Sequence, residues 1–166
     1  NAFVAIEDQS FWENGWVDYK GIVRAIYSSI KKVLGMDARV WWASTITQQL
    51  LKNILWLNKN EKWFYDTVVR KHKEWLLVGK LADVIKADVR EKFPDASSDV
   101  IERKQKERVM ELYINFIYLG NQTYGIEAAA QSYFGKSAKD LSIVESSILA
   151  SMPQSPSYYN PYKNPK

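Results

Sequence analysis

The sequence contains no cysteine and a single histidine, His72. The first absence removes disulfides, thiolate metal sites and cysteine nucleophiles, and the second rules out a multi-histidine metal site and leaves a serine triad without a spare base. No run approaches the roughly 18 consecutive apolar residues of a membrane-spanning helix, and no charged-then-apolar signal segment opens the chain. Proline is scarce as well, and all but Pro94 falls between Met152 and Lys166, which reads as an extended exit segment. Chemistry must therefore rest on carboxylates, hydroxyls, amides and cations.

What is present is one domain's worth of chain, 166 residues with 46% hydrophobic content, enough for a single core over residues 1–166. Seven Trp and ten Tyr suit carbohydrate stacking or a membrane interface as well as a core. A net charge of +4 favours anionic partners. Asp and Glu interleaved through the basic stretches argue against nucleic acid among them. Asn1 stands where an initiator Met would, so the chain is expected to be a fragment of a longer one.

The periodicity is helical, with no internal repeat and no alternating strand pattern. Gly21 to Val33 is a short helix candidate closed by Gly35, followed by a loop, Leu34 to Trp42, that carries Val40, Trp41 and Trp42. Such a trio either folds back onto the core, the commoner outcome, or meets lipid. A helix is predicted from Ser44 or Thr45 to about Trp56, opened by a Thr45/Gln48 capping box. Its apolar stripe is Ile46, Leu50, Ile54 and Leu57. Ser44, Gln48 and Lys52 follow at four-residue spacing on the other face, with Gln49 and Asn53 beside them. Two adjacent amides and a cation resemble a ligand-facing row more than a solvated Glu/Lys face. A long helix is expected over Tyr65–Lys92, with Val68, Trp75, Leu76, Val78 and Leu81 in the core and Pro94 as its stop. Residues 92–106 read as a polar surface excursion. Helices are predicted again from Val109 to Gly120, over Ile126–Phe134 and over Ser142–Ser151. The expected fold is mainly α, about six helices in an all-α or lysozyme-like arrangement with a cleft between two lobes.

Glu7 and Asp8 follow the apolar run Phe3 to Ile6. Partial burial there would raise at least one of the two pKa values and make a base useful near neutrality; acids decorating a helix N-terminus are the plainer explanation. Glu74 lies among Arg70, Lys71 and Lys73, either an ordinary surface ion-pair cluster or an ionised partner for cations. A sugar-ether hydrolase needs a protonated acid for the departing oxygen. A diphosphate leaving group needs positive charge instead, which Lys52, Arg70 and Lys71 could supply.

The segments Glu7-Asp8-Gln9-Ser10-Phe11, Ser44 to Asn53, Arg70-Lys71-His72-Lys73-Glu74 and Arg108 to Asn115 resemble four successive motifs of glycosyltransferase family 51, the peptidoglycan transglycosylase domain of class A penicillin-binding proteins and monofunctional transglycosylases. Tyr124 to Ala130, Tyr133 to Lys136 and Pro153 to Pro161 continue the match in order. The resemblance implies a lysozyme-like helical domain at the outer face of the bacterial cytoplasmic membrane that polymerises lipid II into β-1,4-linked glycan with inversion and releases polyprenyl diphosphate. It implies Glu7 as general base and Glu74 orienting substrate or holding the diphosphate, through its cations or a divalent Mg or Mn ion. Asp8, Phe11, Ser44, Thr45, Gln48, Gln49, Lys52, Asn53, Arg70 and Lys71 would bind substrate, and Glu111 with Asn115 would brace the cleft. Val40, Trp41 and Trp42 would then touch lipid or a polyprenyl tail. No membrane anchor lies in the stretch itself; a transpeptidase domain downstream and other cell-wall synthesis proteins as partners are compatible with the resemblance. The sequence departs from the family at Asn14 (usually His), Trp16 (usually Gly) and Trp42-Ala43 (usually Gly-Gly), and its residues 86–106 look longer than the usual connection. A lysozyme-like hydrolase and a silent lipid II-binding relative are the competing readings.

Overall fold

Phe3 and Val4, apolar neighbours without a polar alternation, wind into a short first helix, α1 (Ala2–Glu7), whose two side chains enter the core. The computed structural model describes residues 2–16, 23, 24, 27, 28, 31, 34–36, 44–55, 64–155, 158 and 159, and for residues 55 and 64–72 the backbone alone. After α1 come α2 (Ile46–Leu55), α3 (Phe64–Lys92), α4 (Ser98–Phe116), α5 (Ile126–Phe134) and α6 (Ile143–Ser151), with 3-10 turns at Ala138–Asp140 and Met152–Gln154. Among the described residues there is no strand, only an isolated bridge between Tyr118 and Tyr124, so the mainly α expectation holds. Residues 23, 24, 27, 28 and 31 of the Gly21–Val33 candidate are helical. The rest of that segment, and Val40, Trp41 and Trp42, lie outside the described residues. No described helix is long and apolar enough to cross a membrane.

The core is built where α2 packs on α4 and α3, and α1 on α6. Ile46, Leu50, Val78, Val109, Tyr113, Leu149 and Met152 are fully buried in it. The predicted helix starts and stops are physical. Ser142 accepts from the Glu145 backbone N–H while the Glu145 carboxylate accepts from Ser142 N–H, a reciprocal capping box at the start of α6. The Lys136 ammonium completes that arrangement and helps hold the Glu145 pKa down at about 2.

Four expectations fail. The 92–106 stretch is no excursion: only residues 93–97 separate two long helices, and Ser98–Lys106 is helical with Ile101, Gln105 and Lys106 buried. Polar residues hid that face because two of its three buried positions are themselves polar. Leu76, assigned to the core, is 61% exposed, because the buried side of α3 runs instead through Glu74, Val78, Ile85 and Val89. Ile54 likewise leaves its stripe for solvent, 42% exposed where Ile46 and Leu50 are fully buried. The helix predicted to reach Gly120 ends at Phe116, and its continuation turns back through the Tyr118–Tyr124 bridge.

Gly125 makes that return feasible. Its φ is +83°, and a Cβ placed there would sit 2.5 Å from the Asn115 carbonyl oxygen. Gly135, at φ +65°, ends α5 with nothing within 4 Å of an added Cβ. Gly135→Ala is therefore expected to cost about 1 kcal/mol of left-handed strain, whereas Gly125→Ala adds a backbone collision of about 1 to 3 kcal/mol on top. Denaturant unfolding of the two variants measures the difference, and equal losses would contradict this packing.

Candidate active site

The apolar run that buries α1 ends at Glu7, so this carboxylate sits on the last residue of a helix, not at the N-terminus that the plainer explanation required. It opens into a cavity of about 490 Å³. Ile6 and Glu7 form one wall. Ser44, Gln48, Gln49, Lys52 and Asn53 from α2 form another, Glu74 comes from α3, and Ile117, Tyr118, Pro153 and Gln154 close the rest. The polar row of α2 is thus a cavity wall rather than a solvated face.

That row is fixed before any ligand enters. Gln48 Oε1 accepts from Thr45 N–H at 3.1 Å and Thr45 Oγ1 accepts from Gln48 N–H at 3.3 Å, the capping box expected from sequence. Both residues are buried, Gln48 to 4% exposure. Gln49 Nε2 donates to Glu7 Oε2 at 2.8 Å, and Tyr113 Oη donates to Gln49 Oε1 at 3.1 Å. Glu7 Oε1 is buried with no hydrogen-bond partner among the described residues. Burial raises the Glu7 pKa above its ordinary value, and the Gln49 hydrogen bond offsets only part of that rise. Tyr113 is pushed up too, by burial first and then by the negative charge of Glu7.

Glu74 is 1% exposed, which removes the surface ion-pair explanation. The neighbouring Lys73 points to solvent, so it does not help enclose the carboxylate. The side chains of Arg70 and Lys71 lie outside the described residues. Among the described residues no three His, Cys, Asp or Glu side chains gather where a metal could be held.

Two residues expected to bind substrate have partners inside the protein. Asp8 Oδ2 accepts from the Ile46 N–H at 3.2 Å, and Oδ1 accepts from Ser10 Oγ at 3.3 Å, so Asp8 ties the end of α1 to the start of α2. Phe11 is 1% exposed, edge-on to Trp12, because its ring fills the core below that tie. Glu111 and Asn115 are exposed on α4, away from the cavity lining: Glu111 pairs with Arg108 at 2.7 Å, and Asn115 Nδ2 donates to the Glu111 carbonyl at 2.8 Å. The residue of that motif that reaches the site is Tyr113, which is not among the candidates named from sequence. Its signal was legible: a Tyr on a buried helix face needs a partner for its hydroxyl. Lys106 was missed as well. It is 4% exposed, donates to the carbonyls of Asn14 and Gly15 at 2.7 and 3.2 Å, and lies over the rings of Phe11 and Trp16. The segment after Asp8, where Asn14 and Trp16 depart from the usual pattern, is thus pinned to α4 by a buried ammonium.

A cavity that joins a carboxylate of raised pKa, a second buried carboxylate, amides and a lysine is an arrangement for acid–base group transfer. The sequence model of the Transglycosylase family matches residues 1–166, the whole chain. The chain belongs to the transglycosylase family. This transglycosylase domain is 42% identical over 166 residues to penicillin-binding protein 1A of Aquifex aeolicus, covering 100% of the chain and 19% of that protein. It is 38% identical over 173 residues to penicillin-binding protein 1A of Clostridium acetobutylicum, 99% of the chain and 18% of the relative, and 35% identical over 165 residues to penicillin-binding protein 1F of Bacillus subtilis, 99% and 19%. The chain spans about a fifth of the length of these relatives.

The raised Glu7 pKa has a consequence for stability. Between its ordinary pKa of 4.5 and the higher folded one, the folded transglycosylase domain binds more protons than the unfolded chain, so stability falls as pH rises through that window. Glu7→Gln, which removes the desolvated charge but keeps an oxygen for Gln49, is expected to unfold at a higher temperature than the parent at pH 7, with the gap closing at pH 4. Thermal scans at both pH values check this; a gap that is absent at pH 7 or widens at pH 4 contradicts the burial argument.

Proposed function

We propose that this domain is a peptidoglycan glycosyltransferase that polymerises lipid II, with Glu7 as the general base. The observation that carries the reading is the Glu7 carboxylate: half-buried in the cavity, raised in pKa, bound by Gln49 through one oxygen and left with acceptor capacity on the other. A sugar hydroxyl is far less acidic than any carboxylic acid, so the base helps only by accepting the proton as the new bond forms, and a raised pKa improves that match. The acceptor's 4-hydroxyl oxygen attacks the anomeric carbon of the lipid-linked growing glycan from the face opposite its diphosphate. The C–O bond to the diphosphate breaks, the β-1,4 link forms with inversion, and polyprenyl diphosphate leaves with the electron pair.

The leaving group needs positive charge and hydrogen-bond donors rather than a proton. Lys52 and the amides of Gln48 and Asn53 bring these to the same cavity, and Arg70 and Lys71, one turn before Glu74 on α3, would extend them. Glu74 orients the substrate. A Mg²⁺ or Mn²⁺ ion arriving with the diphosphate would be held on the protein side by the Glu74 carboxylate and would offset charge developing on the leaving group. A raised carboxylate pKa alone would equally suit the general acid of a hydrolase. The amide and lysine row beside it favours a diphosphate leaving group. The reading places the domain at the outer face of the bacterial cytoplasmic membrane, with Val40, Trp41 and Trp42 meeting lipid.

Purified protein supplied with lipid II in detergent or vesicles is expected to form glycan polymer and release polyprenyl diphosphate. Glu7→Gln should lower that rate by about 100-fold or more, and the parent rate should fall as pH drops, through a midpoint above the ordinary carboxylate range. Soluble fragments released from mature cell wall without polymerisation would establish the hydrolase instead. Lipid II binding without turnover, unchanged by Glu7→Gln, would leave a silent binder.

A further inference from the structure

Gln49 is the one hydrogen-bond donor that the described residues bring to Glu7, and an amide can present either its nitrogen or its oxygen. Its orientation decides which protonation state of Glu7 it favours. With Nε2 toward Glu7, as found, the amide stabilises the carboxylate; turned over, its oxygen would face Glu7 and favour the protonated acid, which is useless as a base. Two groups hold the productive orientation. The Ser44 carbonyl oxygen accepts from Nε2 at 3.4 Å, a long contact, and Tyr113 Oη donates to Oε1 at 3.1 Å.

Tyr113 is well placed to act only as a donor. Its side chain is fully buried, its ring is held edge-on by Phe3 with centroids 6.0 Å apart, and Gln49 is its one hydrogen-bond partner among the described residues. Burial and the nearby negative charge hold its proton in place across the working pH range. We propose that Tyr113 is a positioning residue for the transfer reaction: by donating to Gln49 Oε1 it locks the amide with its nitrogen on Glu7, and so keeps the general base charged. This rests on Glu7 being the base.

The relay runs through three helices, from α4 through α2 to α1, so it also ties base chemistry to core packing. Other groups face Glu7 across the same cavity. Lys52 on α2 and Glu74 on α3 line it, and Asp8 follows Glu7 in the chain but is occupied by the Ile46 N–H. None of them touches Oε1 of Gln49, so their effects on Glu7 persist when the tyrosine hydroxyl is removed.

Tyr113→Phe retains the ring and its packing. In lipid II polymerisation the acid limb of the pH profile of kcat/KM is expected to move to higher pH, with a roughly tenfold loss on that limb and recovery toward the parent rate above it. Gln49→Ala should move the limb in the same direction, and Tyr113→Phe should add no further displacement in a Gln49→Ala background. Carbon-13 NMR titration of the Glu7 carboxyl in the full domain reads the same displacement without substrate and covers the case in which a variant loses turnover. An unmoved limb and an unmoved Glu7 titration in Tyr113→Phe would overturn the proposal, as would a uniform loss of rate at all pH values, which a merely structural tyrosine would give. Parent-like polymerisation by Glu7→Gln would instead sink the general-base reading, while a dead Glu7→Gln with an unmoved Tyr113→Phe limb sinks the relay alone.

Discussion

The hydrogen bond from Gln49 to Glu7 joins the first helix of the domain to the second, and most of what the site can do depends on it. A carboxylate withdrawn from water at the end of α1 is held above its ordinary pKa by desolvation, while a single amide donor keeps the charged form accessible. Without the burial, the Glu7 carboxylate would keep its ordinary, weaker basicity; without the amide, burial would favour the protonated acid more strongly. The cost of this balance is borne by the fold, because a half-buried charge opposes folding at neutral pH.

Several buried polar contacts serve to keep that balance in place. Asp8 anchors the first turn of α2 to the end of α1, so that Ser44, Gln48, Gln49 and Lys52 arrive beside Glu7. Lys106 pins the carbonyls of Asn14 and Gly15 from the far side, its charge spread over the rings of Phe11 and Trp16. Asp8 and Lys106 fix chain segments against one another without lining the cavity. They replace the usual rule that cores are apolar with a set of charges each placed where one segment must be fixed against another.

Family motifs blur this division of labour. The first motif mixes a cavity residue, Glu7, with a tether, Asp8, and a core ring, Phe11. The fourth presents Glu111 and Asn115 to solvent and sends Tyr113 inward to the site. Residues that stand together in a motif share a local backbone, yet helical geometry sends neighbours in opposite directions. A motif therefore marks where a site is built, and the side-chain direction decides who takes part.

From sequence alone came the helical class, the Thr45/Gln48 cap, the helices ending at Lys92 and Phe134 and the polar row of α2. All of these follow from local spacing, which hydrogen bonds within a few residues and a 3.6-residue period are sufficient to express. The same spacing missed the helix from Ser98 to Lys106, because its buried positions Gln105 and Lys106 are polar, and Lys106 is received by the distant carbonyls of Asn14 and Gly15. It could not tell that Leu76 faces water or that Glu74 does not, since α3 has no strong apolar side until α2 and α4 pack on it. Nor could it pair Tyr113 with Gln49, 64 residues apart in the chain. The tertiary structure decided the raised pKa of Glu7 and the orientation of the amide that holds it, because desolvation and long-range hydrogen bonds exist only once the helices are assembled.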